Sequence, residues 1–537
     1  MGTLYWLTEK DLPTLDPQRV YAARDIANLG RTVYRGFVQF PATGDPAVAT
    51  VPVPDLATDT GTSVDGGRSW TFTLKEDVRW EDGRPITAED LRYGVSRAFA
   101  AEVLSGGPTF PVTFLDVPRG GDGRSVYAGP YGGGLAGRAE FERAVACSPD
   151  GRTITYHFNR PWVDFPYAVA SLRCFDPYRA DRDRGAASNY DIFASGPYRL
   201  DGEYRPHHGW SLIRNPHYDP ATDGVRRARP DRIVFREGPP NEVITDRLIA
   251  DEGDDRYAVT DRLIPPSRYD RIVGEVARRA VNPVSPFVEY LLLNVERLTD
   301  PLVRRALKVA TDAAAWIEAG GGAKASEPAY SVIAPGVRGY RPTPAFSGPP
   351  GGDPEAARTL LREAGVPLPY PVKFSYPGGN ATGERQAAAL KAGWDRAGFA
   401  VRLNPCPGEY HEVVQDPADD SDVIWAAWGA DWPTPATVLP PIFDHRLNLT
   451  PTGNGQDYGR YRSDTVAKLI DEAAAAPTTA DALPIYQRID AQLGEDVAYI
   501  PLDVAKFYLL RGSRVTGYRQ TLATGMYPDL GALGVRD

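Results

Sequence analysis

Short alternating runs of apolar and polar residues recur along the chain, separated by stretches with helical spacing. Residues 3–7 (TLYWL), 69–74 (SWTFTL) and 152–158 (RTITYHF) set aromatic and β-branched side chains against polar ones at every second position, which predicts half-buried strands. Residues 86–100 read as a helix, with Thr87 as N-cap and Asp90 three residues on as a capping-box partner. The apolar run 287–294 (FVEYLLLN) predicts a strand, followed by a helix over 301–312. Asp353 as N-cap, Pro354 at the first helical position and Gly365 at the end bound a further helix. Residues 384–397 are helical and 399–404 form a strand. The strand–helix–strand rhythm over 370–428 predicts βαβ units and a partly parallel sheet. Residues 104–137, dense in glycine and proline, read as a long, ordered surface loop, and Gly320–Gly322 and Pro349–Gly352 mark further breaks.

At 537 residues, the chain is long enough for two to four domains and a large core. Its 28 Tyr, 18 Phe and 10 Trp argue against disorder despite 53 Gly and 50 Pro. A net charge of −10 argues against a general nucleic-acid binder, which needs a basic face to neutralise phosphates. No run approaches the length of apolar sequence that spans a bilayer. The start of the chain shows no charged, apolar and cleavage regions of a leader. The expectation is either a cytoplasmic protein that begins at Met1 or a mature secreted chain carrying an added Met1. The three cysteines, Cys147, Cys174 and Cys406, include no CxxC pair. In an oxidising compartment Cys147–Cys174 is the favoured disulfide, because the segment between them reads as a hairpin; three buried thiols are the alternative.

Familiar catalytic motifs fail on inspection. Gly132-Gly133-Gly134-Leu135-Ala136-Gly137 matches GxGxxG, but turn residues Gly129, Pro130 and Tyr131 precede it where a dinucleotide site needs a strand. His411-Glu412-Val413-Val414-Gln415 puts Gln415 where a zinc face needs its second histidine. His207-His208 reads as a solvated turn. So does the acidic run 416–422, which lacks the glycine and closing glutamate of a calcium loop. There is no GxSxG elbow and no phosphate-binding loop. No cofactor and no metal are expected. Trp428-Gly429-Ala430-Asp431-Trp432-Pro433 stands apart: a carboxylate between two indoles, where an apolar strand ends. That combination suits a pocket for a cation, and equally a core strand whose Asp caps the next turn.

Taken together, TLDP at 14–17, VYRGFV at 33–38, WTFTLKEDVRWEDGRPITAEDL at 70–91, SGPYRL at 195–200, RNPHYDP at 214–220, YLLLNVERLTDPLVRRAL at 290–307, 353–365, 428–443 and YGRYRSDT at 458–465 resemble, in order, the extracellular solute-binding proteins of peptide-type ABC importers, family 5. The resemblance implies an α/β, bilobal, periplasmic-binding-protein-like fold of type II, with two hinge crossings near 278–286 and 500–508. Lobe I would comprise 1–43, 185–277 and 504–537 with an extra subdomain at 44–184, and lobe II would be 278–503. Trp70, Phe72 and Trp80 would be core residues. Asp431 would pair with a peptide's α-ammonium, Trp428 and Trp432 would line the cleft, and Tyr410 and Tyr21 would be further walls. No motif marks a cation for the ligand carboxylate; Arg24 and Arg35 are guesses.

The resemblance further implies a bacterial, non-enzymatic receptor that captures a peptide or peptide-like solute by clamshell closure. It would act as a monomer with a membrane permease and without nucleic acid. It would be extracellular, a lipoprotein whose signal segment is absent from this chain, or cytoplasmic if Met1 is the true start. The alternatives are the same fold holding a sugar, a metal chelate or a secondary metabolite, or recruited as a biosynthetic enzyme with Asp431 as acid or base.

Overall fold

The computed structural model describes residues 2–131 and 136–536. Gly132–Leu135, most of the GxGxxG match, lie outside the described residues. The chain divides into two compact units, residues 1–281 with 508–537, and residues 282–507.

Unit 1 opens with β1 (Thr3–Thr8), whose Leu4 and Trp6 point into the core. A smaller three-stranded antiparallel sheet follows, β2 (Ser69–Thr73), β3 (Val145–Cys147) and β4 (Thr153–His157), in the order β2–β4–β3. Phe72 and Trp80 are buried here, and the half-buried Trp70 donates its indole N–H to the Trp162 carbonyl (2.9 Å). Helix α1 (Ala88–Arg97) starts where the spacing placed it. Asp90 N–H donates to Thr87 Oγ1 (3.3 Å), and Thr87 N–H donates to Asp90 Oδ2 (2.9 Å). The main sheet is completed by β5 (Tyr198–Leu200), β6 (Trp210–Arg214), β7 (Arg232–Glu237) and β8 (Ala258–Thr260), ordered β8–β1–β7–β6–β5, with β1 parallel to both neighbours.

The Cys147–Cys174 disulfide is corrected: all three cysteines are free thiols. The hairpin ends at His157, and the helix Phe165–Ser171 carries the chain onward before Cys174. Cys147 turns to α1, where its thiol donates to the Ala88 carbonyl (3.3 Å), and burial pushes that thiol up to about 12. Cys174 is wholly buried.

A buried ionic network ties unit 1 together. Arg35 Nε meets Asp55 Oδ1 at 2.7 Å, and Arg226 reaches Asp55 Oδ2 at 2.8 Å and Asp223 Oδ2 at 2.9 Å. Burial alone would raise the Asp223 carboxyl, but Arg226 and Arg35 hold it far below the usual carboxylate range. Arg24 is likewise occupied by Asp25 and Asp261. Both arginines considered for a ligand carboxylate are therefore spent inside the fold.

Unit 2 is built on a six-stranded mixed sheet: β9 (Val284–Leu293), β10 (Ser326–Pro328), β11 (Tyr370–Pro377), β12 (Phe399–Cys406), β13 (Val423–Gly429) and β14 (Tyr499–Lys506), in the order β10–β14–β9–β13–β11–β12. β11 runs parallel to β12 and β13, as the strand–helix–strand rhythm predicts. Both faces are covered. Val288, Tyr290 and Leu292 of β9 face one core with Ile424, Ala426 and Tyr499. Leu291 and Leu293 face the other with Trp316, Phe374 and Trp394. A strand buried on both sides cannot alternate, which explains the continuous run FVEYLLLN. The second core lies under α2 (Pro301–Ala310), α3 (Ala313–Gly320), α4 (Pro354–Glu363) and α5 (Ala381–Arg396). α5 begins three residues before the expected start because Asn380 caps it, accepting from Gly383 N–H (2.7 Å).

The chain passes between the units twice. Ala280–Val281 pairs antiparallel with Leu509–Leu510 in unit 1, and Val284 pairs with Lys506 in unit 2. The two connecting segments therefore run side by side. Among the described residues no helix is long and apolar enough to cross a membrane.

Candidate functional site

β13 is held at the centre of its sheet by β9 and β11, and ends at Gly429. A Cβ at 429 would sit 2.5 Å from the Phe287 ring, so only glycine lets the strand end pack this closely. The chain then turns through Ala430–Thr434 into the 3-10 turn Pro435–Thr437. Thr437 organises this loop. Its hydroxyl accepts from Asp431 N–H (3.1 Å) and donates to Asp431 Oδ2 (3.0 Å). Its carbonyl accepts the Trp428 indole N–H (2.8 Å). One buried threonine thus fixes both the carboxylate and the half-buried indole, each of which keeps partial solvent exposure.

The other expected walls are placed differently. Trp432, within the loop itself, is only 4% exposed. Tyr410, on the short helix Tyr410–Gln415, is 5% exposed; its hydroxyl donates to the Trp425 carbonyl, and burial raises its pKa well above the usual tyrosine value. It packs in the core beside Ile424 and Ala426. Tyr21 belongs to unit 1; it is 45% exposed and meets Phe110 edge-on at 6.5 Å. The structure thus brings Asp431 and Trp428 together at one loop, while Trp432 and Tyr410 are buried. Thr437 was missed because a threonine among prolines carries no signal until the loop is closed.

The discarded motifs have structural work. His411 lies within hydrogen-bond distance of the Tyr458 hydroxyl (3.3 Å), and His207 pairs with Asp11. In the acidic run, Asp422 pairs with Arg297 (2.7 Å) and accepts from Lys373 N–H (2.8 Å), while Asp420 meets the Lys373 ammonium. Among the described residues no group of three or more His, Cys, Asp or Glu is placed to hold a metal ion.

Comparison with known proteins agrees with this architecture. The periplasmic murein peptide-binding protein MppA of Escherichia coli (strain K12) is 22% identical over 503 residues, covering 92% of this chain and 86% of that protein. The dipeptide-binding protein of the same organism is 24% identical over 466 residues, covering 82% and 78%. Among solved structures, the clavulanic acid biosynthesis oligopeptide binding protein 2 superposes with a TM-score of 0.88 at 29% identity, covering all of this chain and 96% of that one. The unliganded open form of MppA gives a TM-score of 0.76. These neighbours have the bilobal α/β fold of periplasmic binding proteins. The model of the middle region of bacterial extracellular solute-binding proteins, family 5, matches residues 51–448, and the chain belongs to that family.

Proposed function

We propose that the chain is the solute receptor of an ABC importer and binds a peptide or peptide-like ligand, with Asp431 pairing the ligand's ammonium and Trp428 walling the site. The observation that carries this reading is the Thr437 clamp, which holds a carboxylate and an indole at one partly exposed strand end. An ammonium needs a fixed acceptor, and a flat apolar wall beside it lowers the local dielectric and strengthens the pair. Relatives named for peptides across most of the chain support the ligand class. In this reading the protein works outside the cytoplasm, as a monomer that delivers its ligand to a membrane permease, with a lipid anchor, and without catalysis, cofactor or nucleic acid. Unit 2 corresponds to lobe II, and residues 44–184 to the extra subdomain of lobe I.

Native mass spectrometry of the purified protein, repeated after denaturation, tests the ligand class. A released peptide or peptide mixture is expected and reports ligand length directly. Release of a single non-peptide metabolite would sink the peptide reading.

A further inference from the structure

Unit 1 holds an open cavity of about 760 Å³, and every residue of its lining belongs to that unit. Arg278 and Arg279, on one part of the wall, lead into Ala280–Val281; Arg511, on another, follows Leu509–Leu510. These two short strands pair antiparallel, so the arginines flank one ladder. Arg279 is fixed in place. It donates to the Leu248 and Ile249 carbonyls at the end of the helix Asn241–Ala250 (2.7 and 3.1 Å) and to the Arg511 carbonyl (2.8 Å). Arg511 is placed by its neighbours. Its backbone N–H donates to the Arg279 carbonyl (3.2 Å), and Gly512 lies against the Asp255 and Arg256 carbonyls, where a Cβ would overlap both. Ile249, Val276 and Val515 supply apolar lining.

The charges around the cavity do not balance. Its lining carries four arginines, Arg278, Arg279, Arg511 and Arg536, against two carboxylates, Asp251 and Glu275. Both carboxylates are committed. Asp251 pairs with Arg279 at 3.4 Å and accepts Ser513 N–H at 2.9 Å, and Glu275 pairs with Arg278 at 2.6 Å on the exposed rim. Arg511 and Arg536 form no ion pair among the described residues. Arg511 Nε and the Tyr518 hydroxyl are buried there without a partner among the described residues, the guanidinium 5.6 Å from the Tyr518 ring. Burial lowers the Arg279 guanidinium from its ordinary value; Asp251 opposes that, and the charge of Arg511 adds to it. Surplus positive charge beside apolar lining suits an organic anion.

We propose that this cavity is a second ligand site and takes a small organic phosphate, its phosphoryl group on Arg511, Arg279 and Arg536 and its organic part against Ile249, Val276 and Val515. A phosphomonoester brings close to two negative charges and three acceptor oxygens at neutral pH, which match the surplus; a carboxylate brings one charge. Arginine forks meet phosphate oxygens in pairs, so the fixed guanidiniums give direction as well as charge. The volume lies in the range of small-molecule sites, well beyond what inorganic phosphate fills. Because Arg279 and Arg511 border the ladder of Ala280–Val281 with Leu509–Leu510, an occupant braces the two connecting strands within unit 1. The site and its test do not depend on the peptide reading.

The test is titration calorimetry of the full chain with phenyl phosphate, against phenol, benzoate and inorganic phosphate, all at one ionic strength set with sodium chloride. Phenyl phosphate is expected to bind with a Kd of about 0.1 mM, and each of the other three at least about tenfold more weakly. Arg511→Gln and Arg536→Gln should each weaken phenyl phosphate about tenfold. Arg536 is exposed, so its substitution leaves folding intact. Hydrogen exchange locates the site: bound phenyl phosphate should slow the amides of 279–281 and 509–515. Phenyl phosphate binding no tighter than phenol or benzoate, affinity that survives both substitutions, or slowed exchange confined to other segments overturns the proposal. So does Arg511-dependent binding to vesicles of phosphatidic acid with none to phenyl phosphate, which would make a lipid surface the source of the phosphate.

Discussion

Asp431→Ala is expected to weaken binding of peptides with a free N-terminus by about 2–4 kcal/mol, roughly 30- to 1,000-fold, while the protein stays folded. The loss comes from leaving a desolvated ammonium without its counter-charge. The substitution also removes the side-chain hydrogen bond to Thr437 from a partly exposed residue, a cost of about 1 kcal/mol for that bond. Thr437→Val should show a weaker version of the same defect, since Asp431 keeps its charge but loses its fixed orientation. Calorimetry with a peptide and its N-acetylated form checks the assignment. Acetylation removes the charge that Asp431 would meet, so the alanine variant should bind the acetylated form no worse than the unaltered protein does. An equal loss for both forms would falsify Asp431 as the ammonium partner.

Arg226→Ala is expected to destabilise unit 1 by about 3–5 kcal/mol, because it removes the guanidinium that contacts both buried carboxylates, Asp55 and Asp223. In denaturant or thermal unfolding this should appear as a transition roughly 10 °C lower for unit 1, with unit 2 unchanged. The pH dependence has a definite sign. The Asp223 carboxyl lies lower in the folded state than in the unfolded chain, so its contribution is present above about pH 4 and fades as pH falls further. The variant should lack that acid-sensitive component. An unaltered midpoint would show that the network contributes little.

What could be read from the sequence was whatever depends on near neighbours. Thr87 with Asp90 and Asp353 with Pro354 announce helix starts within four residues, and both form as read. The GADWP loop was legible because its carboxylate and indoles are adjacent in the chain. The partners that give those residues a role were not. Thr437 acts only after the chain turns back on itself. Arg226 meets Asp55 across 171 residues. The Cys147–Cys174 pairing failed for the same reason: a plausible separation in sequence says nothing about where an intervening helix carries the second thiol. The resemblance implies Tyr410 as a wall, whereas its hydroxyl is committed to a backbone carbonyl in the core.

The paired connecting segments have a consequence for synthesis. Unit 2 is one uninterrupted stretch whose first and last strands close on each other at Val284 and Lys506, so it holds every strand it needs once residue 507 has left the ribosome. Unit 1 emerges first but stays unfinished. Val515, Leu530 and Leu533 fill its core, Leu509–Leu510 supplies a strand pairing, and Asp529 meets Arg31 at 3.1 Å. The later-made half is thus expected to mature before the earlier one, reversing the usual N-to-C order. In a chain truncated after residue 507 and released from the ribosome, protease should spare 282–507 and digest 1–281; the opposite pattern would show that unit 1 folds without its closing segment.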